Sequence, residues 1–357
     1  MAKKYKMLIL NPGSTSTKVS VFENEENLVA VSIGHPADEI RKFESIWDQY
    51  EYRKDAILKV LKDNNLDIDK IDIIACRGGN VRPIEGGIYE LNSQMLEDMK
   101  SGKYGVHATN VGNLIAYDLG QKLAIPVITL DPPVTDEFCD YARLSGIPQI
   151  SRQSSFHALN QKATARRVAE KLNSTYEELN FVVVHMGGGI SVGAHKQGRV
   201  IDCNNALNGD GPYSPERAGT LPNAALINMC FSGKYSQDDM LRLMTGKGGL
   251  VAYLGTTDAL EIEEKIKKGD RQAENIYMGM AYQIVKEIGS MAAALAGKVD
   301  AIAFTGSLAY SEKLMTYIKE RVEFIAPIYE IPGENEMEAL ASGALRFLTK
   351  AEEPRSY

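Results

Sequence analysis

The sequence contains few cysteines, no long apolar run and no excess of positive charge. The cysteines Cys76, Cys139, Cys203 and Cys230 form no Cys-x-x-Cys pair, and their wide spacing argues against a zinc site or a disulfide framework. No segment approaches the length of a membrane span, and the apolar run behind the basic N-terminus is too short for a signal peptide. The net charge of −7 argues against nucleic acid or a membrane surface as the main partner. We therefore expect a cytoplasmic protein in which a local cluster of residues binds any anion.

The length of the chain predicts two domains. At 357 residues, with 44% hydrophobic residues, it exceeds the size at which a single core keeps growing. Residues 135–155 mix Pro, Gly, Ser and charged residues, which is typical of a crossing between domains. We therefore predict a first domain of residues 1–150 with 335–357, and a second domain of residues 151–334.

Short aliphatic runs alternate with helical patterns, which predicts an α/β fold with largely parallel central sheets. The clearest strands are predicted at residues 71–75, 125–130, 181–185 and 301–305. The clearest helices are predicted at residues 48–61, 157–172, 274–295 and 336–348. In the third helix Ile276, Met280 and Ile284 begin an apolar face that we expect to pack on a sheet.

Two related segments each join an apolar strand, a loop of small and hydroxyl residues, and a second strand. They span residues 7–22 and 181–194, and Gly13 falls on Gly187 when the two are aligned. Glycines let backbone N–H groups approach an anion, while hydroxyl groups and Lys18 supply donors and charge. A single loop of this kind is better explained as a hairpin turn in which glycine supplies a positive φ. Because two copies occur at corresponding places, we predict that they bind a polyphosphate.

Charged residues follow two predicted strands, at the edge where open α/β sheets bind ligands. Arg77 lies between a strand and Gly78, where it either binds a carboxylate or phosphate or forms a surface ion pair. Asp131 precedes Pro132, where it either faces a metal-bound nucleotide or simply begins a turn.

Two histidines and a glycine-serine pair complete the candidate residues. His157 lies near the start of a predicted helix, where the positive field favours a neutral imidazole, unless the residue only terminates the helix. His185 opens the second loop, where an imidazole can donate to a transferring phosphoryl oxygen. Gly306-Ser307 follows a strand and is suited to the floor of an adenine or ribose site.

Several of these motifs resemble, in order, those of the acetate kinase family, and the resemblance extends from residue 8 to about residue 348. The motifs are residues 11–18, Arg77-Gly78-Gly79, Phe156-His157 and residues 185–189. Three further stretches, residues 82–87, 157–163 and 209–219, resemble butyrate kinases in particular. The resemblance implies two similar actin-like (ribonuclease H-like) α/β domains around a nucleotide cleft.

The resemblance also implies reversible phosphoryl transfer from ATP to a short-chain fatty acid, butyrate above all, giving an acyl phosphate and ADP with Mg²⁺. Arg77 would bind the carboxylate, and His157 and His185 would steady the phosphoryl group. Asp131 would orient the metal or the arginine. The nucleotide-binding residues would be Asn11, Ser14, Ser16, Lys18, Gly187, Gly188, Gly189, Gly306 and Ser307, with Asn11 and Asp131 as metal ligands. The implied assembly is a homo-oligomer, a dimer or larger.

The chain departs from the family pattern at three places. Acetate kinases carry Gly-Ile-Gly-Glu-Asn, with a metal-associated glutamate, where this chain reads Gly306-Ser307-Leu308-Ala309-Tyr310. They have an arginine after Gly-Thr where this chain has Leu221, and Arg217 is the candidate replacement. They also have a valine where this chain has Gly79, which predicts more room for the acyl chain. Because each buried CH₂ is worth only about 0.8 kcal/mol, isobutyrate and valerate are expected as further substrates.

Other functions stay open at this point. The nearer alternative is a kinase for acetate, propionate or a branched-chain acid. A regulatory ATPase on an actin-like fold would bind ATP without bringing Arg77, His157 and His185 to the terminal phosphate. A sugar kinase of the same superfamily would need an aspartate base, for which Asp131 is the candidate.

Overall fold

The computed structural model describes residues 3–207 and 210–357. The strands are β1 Lys6–Pro12, β2 Ser16–Glu23, β3 Glu26–Gly34, β4 Ile73–Cys76, β5 Ile88–Glu90, β6 Val127–Leu130, β7 Asn180–Met186, β8 Ile190–Lys196, β9 Arg199–Cys203, β10 Ala301–Gly306 and β11 Ile328–Pro332. The helices are α1 Ala37–Ile40, α2 Tyr50–Asp63, α3 Ser93–Ser101, α4 Ala108–Leu123, α5 Asp140–Arg143, α6 Ala158–Lys171, α7 Asn223–Cys230, α8 Gln237–Met244, α9 Leu250–Leu254, α10 Ala259–Lys267, α11 Arg271–Ala294, α12 Glu312–Val322 and α13 Glu336–Leu348. Short 3-10 helices lie at Trp47–Gln49, Ile68–Lys70 and Ser307–Tyr310.

Contacts within the chain divide it into two units. The first unit is Met1–Thr135 with Asn335–Tyr357, and the second is Asp136–Glu334. Residues 136–150, expected in the first domain from the sequence, lie in the second unit. A buried ion pair between Glu137 and Lys162, at 2.8 Å, is one of the contacts that hold this segment in the second unit.

The two units repeat one strand arrangement. The first sheet has the order β3-β2-β1-β4-β6-β5, and the second has the order β11-β10-β7-β8-β9. In each sheet three consecutive strands form antiparallel pairs, β1-β2-β3 or β7-β8-β9, and the first of the three also pairs in parallel with a later strand. The duplicated strand-loop-strand is thereby confirmed. The sheets are mixed rather than largely parallel, because the short loops after β1 and β7 turn the chain straight back.

Alternating side chains of the central strands cover both faces of the second sheet. Val182 and Val184 of β7 pack in one apolar cluster with α11, whereas Phe181 and Val183 pack in another with α6. In the first unit, α4 and α13 both pack against β1 and β4. The loops that follow β1, β4, β7 and β10 are therefore held by rigid layers.

The long helix α11 was expected to pack on a sheet, and it does. Met280, Ile284 and Ile288 are fully buried, and the helix lies against β7 and β8. In the part of the chain that the structure describes, no helix is long and apolar enough to cross a membrane.

Candidate functional site

A buried arginine holds the first loop, residues 13–15, from inside the protein. The Gly13 N–H donates to Ser16 O at 2.7 Å and closes the turn. Arg53, only 1% exposed, donates from Nη1 to Gly13 O at 2.9 Å and from Nη2 to Ser14 O at 3.0 Å. Its role is not evident from the sequence patterns. The sequence feature that could have indicated this role is the position of Arg53 on the apolar face of α2, four residues before the buried Ile57.

Two histidines without an expected role also contact this hairpin. His35 Nε2 lies 2.8 Å from Thr17 Oγ1, and His107 Nε2 lies 3.3 Å from Ser14 Oγ. Burial, reinforced by the positive charge of Arg53, lowers the pKa of His35 to about 4. His35 is therefore neutral at physiological pH and serves to support the hairpin.

Asn11, near the C-terminal end of β1, and Arg77, directly after β4, both contact the buried carboxylate of Glu336. Asn11 Nδ2 donates to Glu336 Oε2 at 2.6 Å, and Arg77 Nη1 lies 3.2 Å from the same oxygen. Arg77 Nη1 is also 3.5 Å from Asn11 Oδ1, and Lys18 lies opposite Asn11 in the β1-β2 ladder. The Asn113 amide donates to Arg77 O at 2.8 Å and fixes the backbone there.

Glu336 was not singled out as a site residue from the sequence. It is the first residue of α13, and the sequence pattern places it only at a helix boundary. Its sequence signal is an acidic residue at the start of an apolar helix, and the structure shows that this residue is buried, only 9% exposed.

Asn11 and Glu336 are also suited to binding Mg²⁺. Within residues 3–207 and 210–357, no group of three or more His, Cys, Asp and Glu side chains is placed to hold a metal ion. Mg²⁺ keeps several waters and commonly uses one or two carboxylates together with substrate phosphates. The Glu336 carboxylate and the Asn11 amide oxygen form a donor set of that kind.

Asp131 is bound to the backbone of the segment that resembles butyrate kinases. Its Oδ1 accepts from Gly87 N at 2.8 Å, and its own N–H donates to Gly87 O at 3.2 Å. Its φ of +40° is rare for a residue other than glycine. Asp131 thus fixes the end of residues 82–87, and its role toward a metal stays a prediction.

The space beside Gly79 is filled. A Cβ at Gly79 would lie 2.8 Å from Met99 Sδ and 3.0 Å from Asn110 Oδ1. The expectation that this glycine leaves room for an acyl chain is wrong, because these buried side chains already occupy that room.

The second loop, residues 187–189, is built by close approach of backbone and side chains. Gly187 N donates to Gly189 O at 3.0 Å and closes a turn one residue shorter than that of the first loop. Ser214 Oγ donates to Gly188 O at 2.6 Å. A Cβ at Gly189 would overlap the Arg217 guanidinium. Arg217, whose pKa is lowered by burial, is therefore packed directly on this loop and also donates to a backbone carbonyl.

His157 and His185 stack beside the second loop. Their ring centroids are 3.8 Å apart and their planes differ by 11°. His185 Nδ1 donates to Asn160 Oδ1 at 2.9 Å, and its Nε2 lies 3.1 Å from where a Cβ on Gly187 would be. The histidine pair predicted from two distant motifs is thus one cluster at the glycine loop.

A cleft of about 470 Å³ opens beside this loop. Its lining includes Gly187, Gly188, Glu216, Leu260, Ser307 and Tyr310. Gly306 has a φ of +88° and packs on the backbone of Met186, so that Ser307 begins directly beside the loop. Gly209, the first residue of the 209–219 stretch, lies outside the described residues.

Comparison with known proteins agrees with this arrangement. The model of the acetokinase family matches residues 143–325, just over half of the chain. Acetate kinase from Porphyromonas gingivalis is similar over 96% of this chain and 100% of its own, with 19% identity and a TM-score of 0.80. A propionate kinase from Francisella tularensis is similar over 95% of this chain and 98% of its own (17% identity, TM-score 0.75), and Entamoeba histolytica acetate kinase over 96% and 100% (15%, 0.76). These likenesses confirm the α/β fold of two similar actin-like units, and the family match shows that the chain belongs to the acetokinase family.

Proposed function

We propose that the protein is a carboxylate kinase that transfers the terminal phosphoryl group of ATP reversibly to a short-chain fatty acid. Family membership indicates a carboxylate kinase, and two of the similar structures are acetate kinases and one is a propionate kinase. The observation that carries the proposal is the position of Arg77, whose guanidinium lies at a strand end beside Asn11 and Glu336.

The chemistry needs no base. A fatty acid is already ionised at neutral pH, so its oxygen attacks the terminal phosphorus directly while the bond from that phosphorus to the β-phosphate oxygen breaks. The products are an acyl phosphate and ADP. Arg77 would bind and align the carboxylate, since its planar fork of donors matches two carboxylate oxygens.

ATP would be bound by the second unit. The glycines of residues 187–189 offer backbone N–H groups to its phosphates, and the 470 Å³ cleft beside them has the size of a small-molecule site. His157 and His185 would stabilise the charge that develops on the transferring group. Arg217, packed on Gly189, would add positive charge to this loop.

Magnesium would be held in the first unit by Asn11 and Glu336. When bound, it neutralises phosphate charge and aligns the terminal group for transfer. Asp131 fixes Gly87 and with it the neighbouring segment of the first unit.

We further propose butyrate as the preferred acid. The support is the sequence of residues 82–87, 157–163 and 209–219, which resembles butyrate kinases, and not the space at Gly79. Because one CH₂ is worth about 0.8 kcal/mol, neighbouring acids should differ by about one order of magnitude at most for each carbon.

The test is to trap acyl phosphate with hydroxylamine, using ATP and Mg²⁺ with acetate, propionate, butyrate, isobutyrate or glycerol in parallel. Hydroxamate from the fatty acids supports the carboxylate kinase, and the highest kcat/KM with butyrate supports the preference. A kcat/KM that is higher with acetate or isobutyrate than with butyrate contradicts the preference for butyrate but not the carboxylate kinase. ATP binding without any hydroxamate would favour the regulatory ATPase, and phosphorylated glycerol would favour the kinase of a hydroxyl group.

A further inference from the structure

A buried line of hydrogen bonds runs from Tyr176 to His157 through the interior of the second unit. Tyr176 OH lies 2.8 Å from His195 Nδ1, and His195 Nε2 lies 2.9 Å from Gln161 Oε1. Gln161 Nε2 lies 2.7 Å from Ser191 Oγ, which lies 2.9 Å from His157 Nδ1. Gln161, Ser191 and His195 have no exposed surface.

One backbone carbonyl fixes the direction of this line. Gln161 Nε2 is also 3.0 Å from Ser191 O, which accepts hydrogen bonds and cannot donate. The amide nitrogen of Gln161 must therefore face Ser191, and its oxygen must face His195.

At the inner end, the orientation of Gln161 determines the tautomer of His195. Because Gln161 Oε1 only accepts, His195 Nε2 carries the hydrogen. Burial, reinforced by the nearby charge of Lys162, lowers the pKa of His195 well below its usual range and keeps the ring neutral. His195 Nδ1 then accepts from the Tyr176 hydroxyl.

At the outer end, the same orientation determines what Ser191 does. The Ser191 hydroxyl oxygen accepts from Gln161 Nε2, and within residues 3–207 and 210–357 the only acceptor within hydrogen-bond distance of this fully buried hydroxyl is His157 Nδ1. The hydroxyl hydrogen is therefore directed to His157 Nδ1. A neutral His157 with an accepting Nδ1 carries its hydrogen on Nε2. His185 is the opposite tautomer when neutral, because its Nδ1 donates to Asn160 Oδ1.

We propose that Gln161 and Ser191 are positioning residues that hold His157 as the Nε2–H tautomer, the form that donates to a phosphoryl oxygen. The inference rests on the proposed function for its catalytic consequence. Its structural content, the tautomer of one histidine, is independent of any substrate.

The experiment is long-range ¹H–¹⁵N correlation of the protein labelled with ¹⁵N-histidine, which distinguishes the two imidazole tautomers. The His157 signals are assigned by their loss in His157→Gln. We expect the Nε2–H pattern for His157 in the wild type. In Gln161→Glu the carboxylate accepts the Ser191 hydrogen, so His157 should shift to the Nδ1–H form. Gln283→Glu is the matched control, since Gln283 Oε1 accepts from the Tyr213 N–H and a carboxylate oxygen can do the same.

Kinetics of the same variants test the consequence for catalysis. We expect kcat of Gln161→Glu to fall about 10²-fold, the order seen when one donor to a developing oxyanion is lost, with KM for ATP changed less than about threefold. Gln283→Glu should keep the wild-type kcat. A wild-type kcat in a Gln161→Glu protein whose His157 tautomer has changed would overturn the positioning role.

The NMR experiment alone can overturn the proposed tautomer of His157. His157 with Nδ1–H in the wild type, or an unchanged pattern in Gln161→Glu, would overturn the proposal. If Gln161→Glu does not fold, Ser191→Ala replaces it, and the His157 Nδ1 resonance should move toward that of an unbonded nitrogen; an unmoved resonance contradicts the proposal. A wild-type protein that transfers no phosphoryl group to a carboxylate would refute the proposed function alone, because the tautomer is read without substrate.

Discussion

The side-chain amide of Asn11 donates to the carboxylate of Glu336 at 2.6 Å, although the two residues are 325 positions apart. This bond joins the end of β1 to the first residue of α13, so a helix near the end of the chain completes a cluster of polar side chains in the first unit. Arg77 is the third member, with Nη1 at 3.2 Å from Glu336 Oε2. Under the proposed function, Arg77 would bind the carboxylate of the fatty acid, and Asn11 and Glu336 would hold the metal ion.

Glu336→Gln should impair magnesium activation. The amide keeps the size of the side chain but removes the negative charge that Mg²⁺ requires, so the half-activating Mg²⁺ concentration should rise at least tenfold. The measurement is initial rate against free Mg²⁺ at saturating ATP and fatty acid. Glu338→Gln is the matched control, because Glu338 is exposed in the same first turn of α13. Equal Mg²⁺ dependence of the two variants would contradict Glu336 as the metal ligand.

Arg77→Ala should nearly abolish turnover while the protein stays folded. Loss of the guanidinium removes the group that binds the fatty acid, and a fall in kcat/KM of about 10³-fold is expected. The wild type and the variant are compared by hydroxamate formation and by circular dichroism. Arg41→Ala serves as control, since Arg41 is exposed. A folded Arg77→Ala protein with near-wild-type kcat/KM would remove Arg77 from the mechanism.

Residues at the ends of predicted strands could be found from the sequence, because apolar runs and glycines mark those ends locally. Arg77 and His185 were singled out in this way, whereas the role of Asn11 came from the resemblance to the acetate kinase family. Glu336 and Arg53 were not singled out, because each acts on a loop that is distant in sequence: Arg53 is 40 positions from the Gly13 carbonyl it binds. The prediction of free space at Gly79 was wrong for the same reason, because Met99 and Asn110, which fill that space, come later in the sequence.

Gly189→Ala should displace Arg217 and lower turnover. A methyl group there would overlap the guanidinium, so either the loop or the arginine must move, and we expect a loss of about 1–3 kcal/mol in stability. Gly289→Ala is the matched control, because a Cβ in that helix meets nothing within 4 Å. It should be neutral or stabilise the fold by up to about 1 kcal/mol. Thermal unfolding and kcat are measured for both variants, and equal Tm and kcat values would show that Arg217 is not confined by Gly189.

His35 should make the stability of the fold depend on pH. Its pKa is lowered from 6.5 to about 4 in the folded protein, so the unfolded chain binds more protons between these two values. The free energy of unfolding therefore has its full value above pH 6.5 and decreases as the pH falls toward 4. His35→Gln removes this titration while an amide can still bond to Thr17, so its stability should vary less than the wild type's between pH 7 and pH 4. Urea unfolding at several pH values measures the difference, and parallel curves for the two proteins would show that His35 is not held neutral by burial.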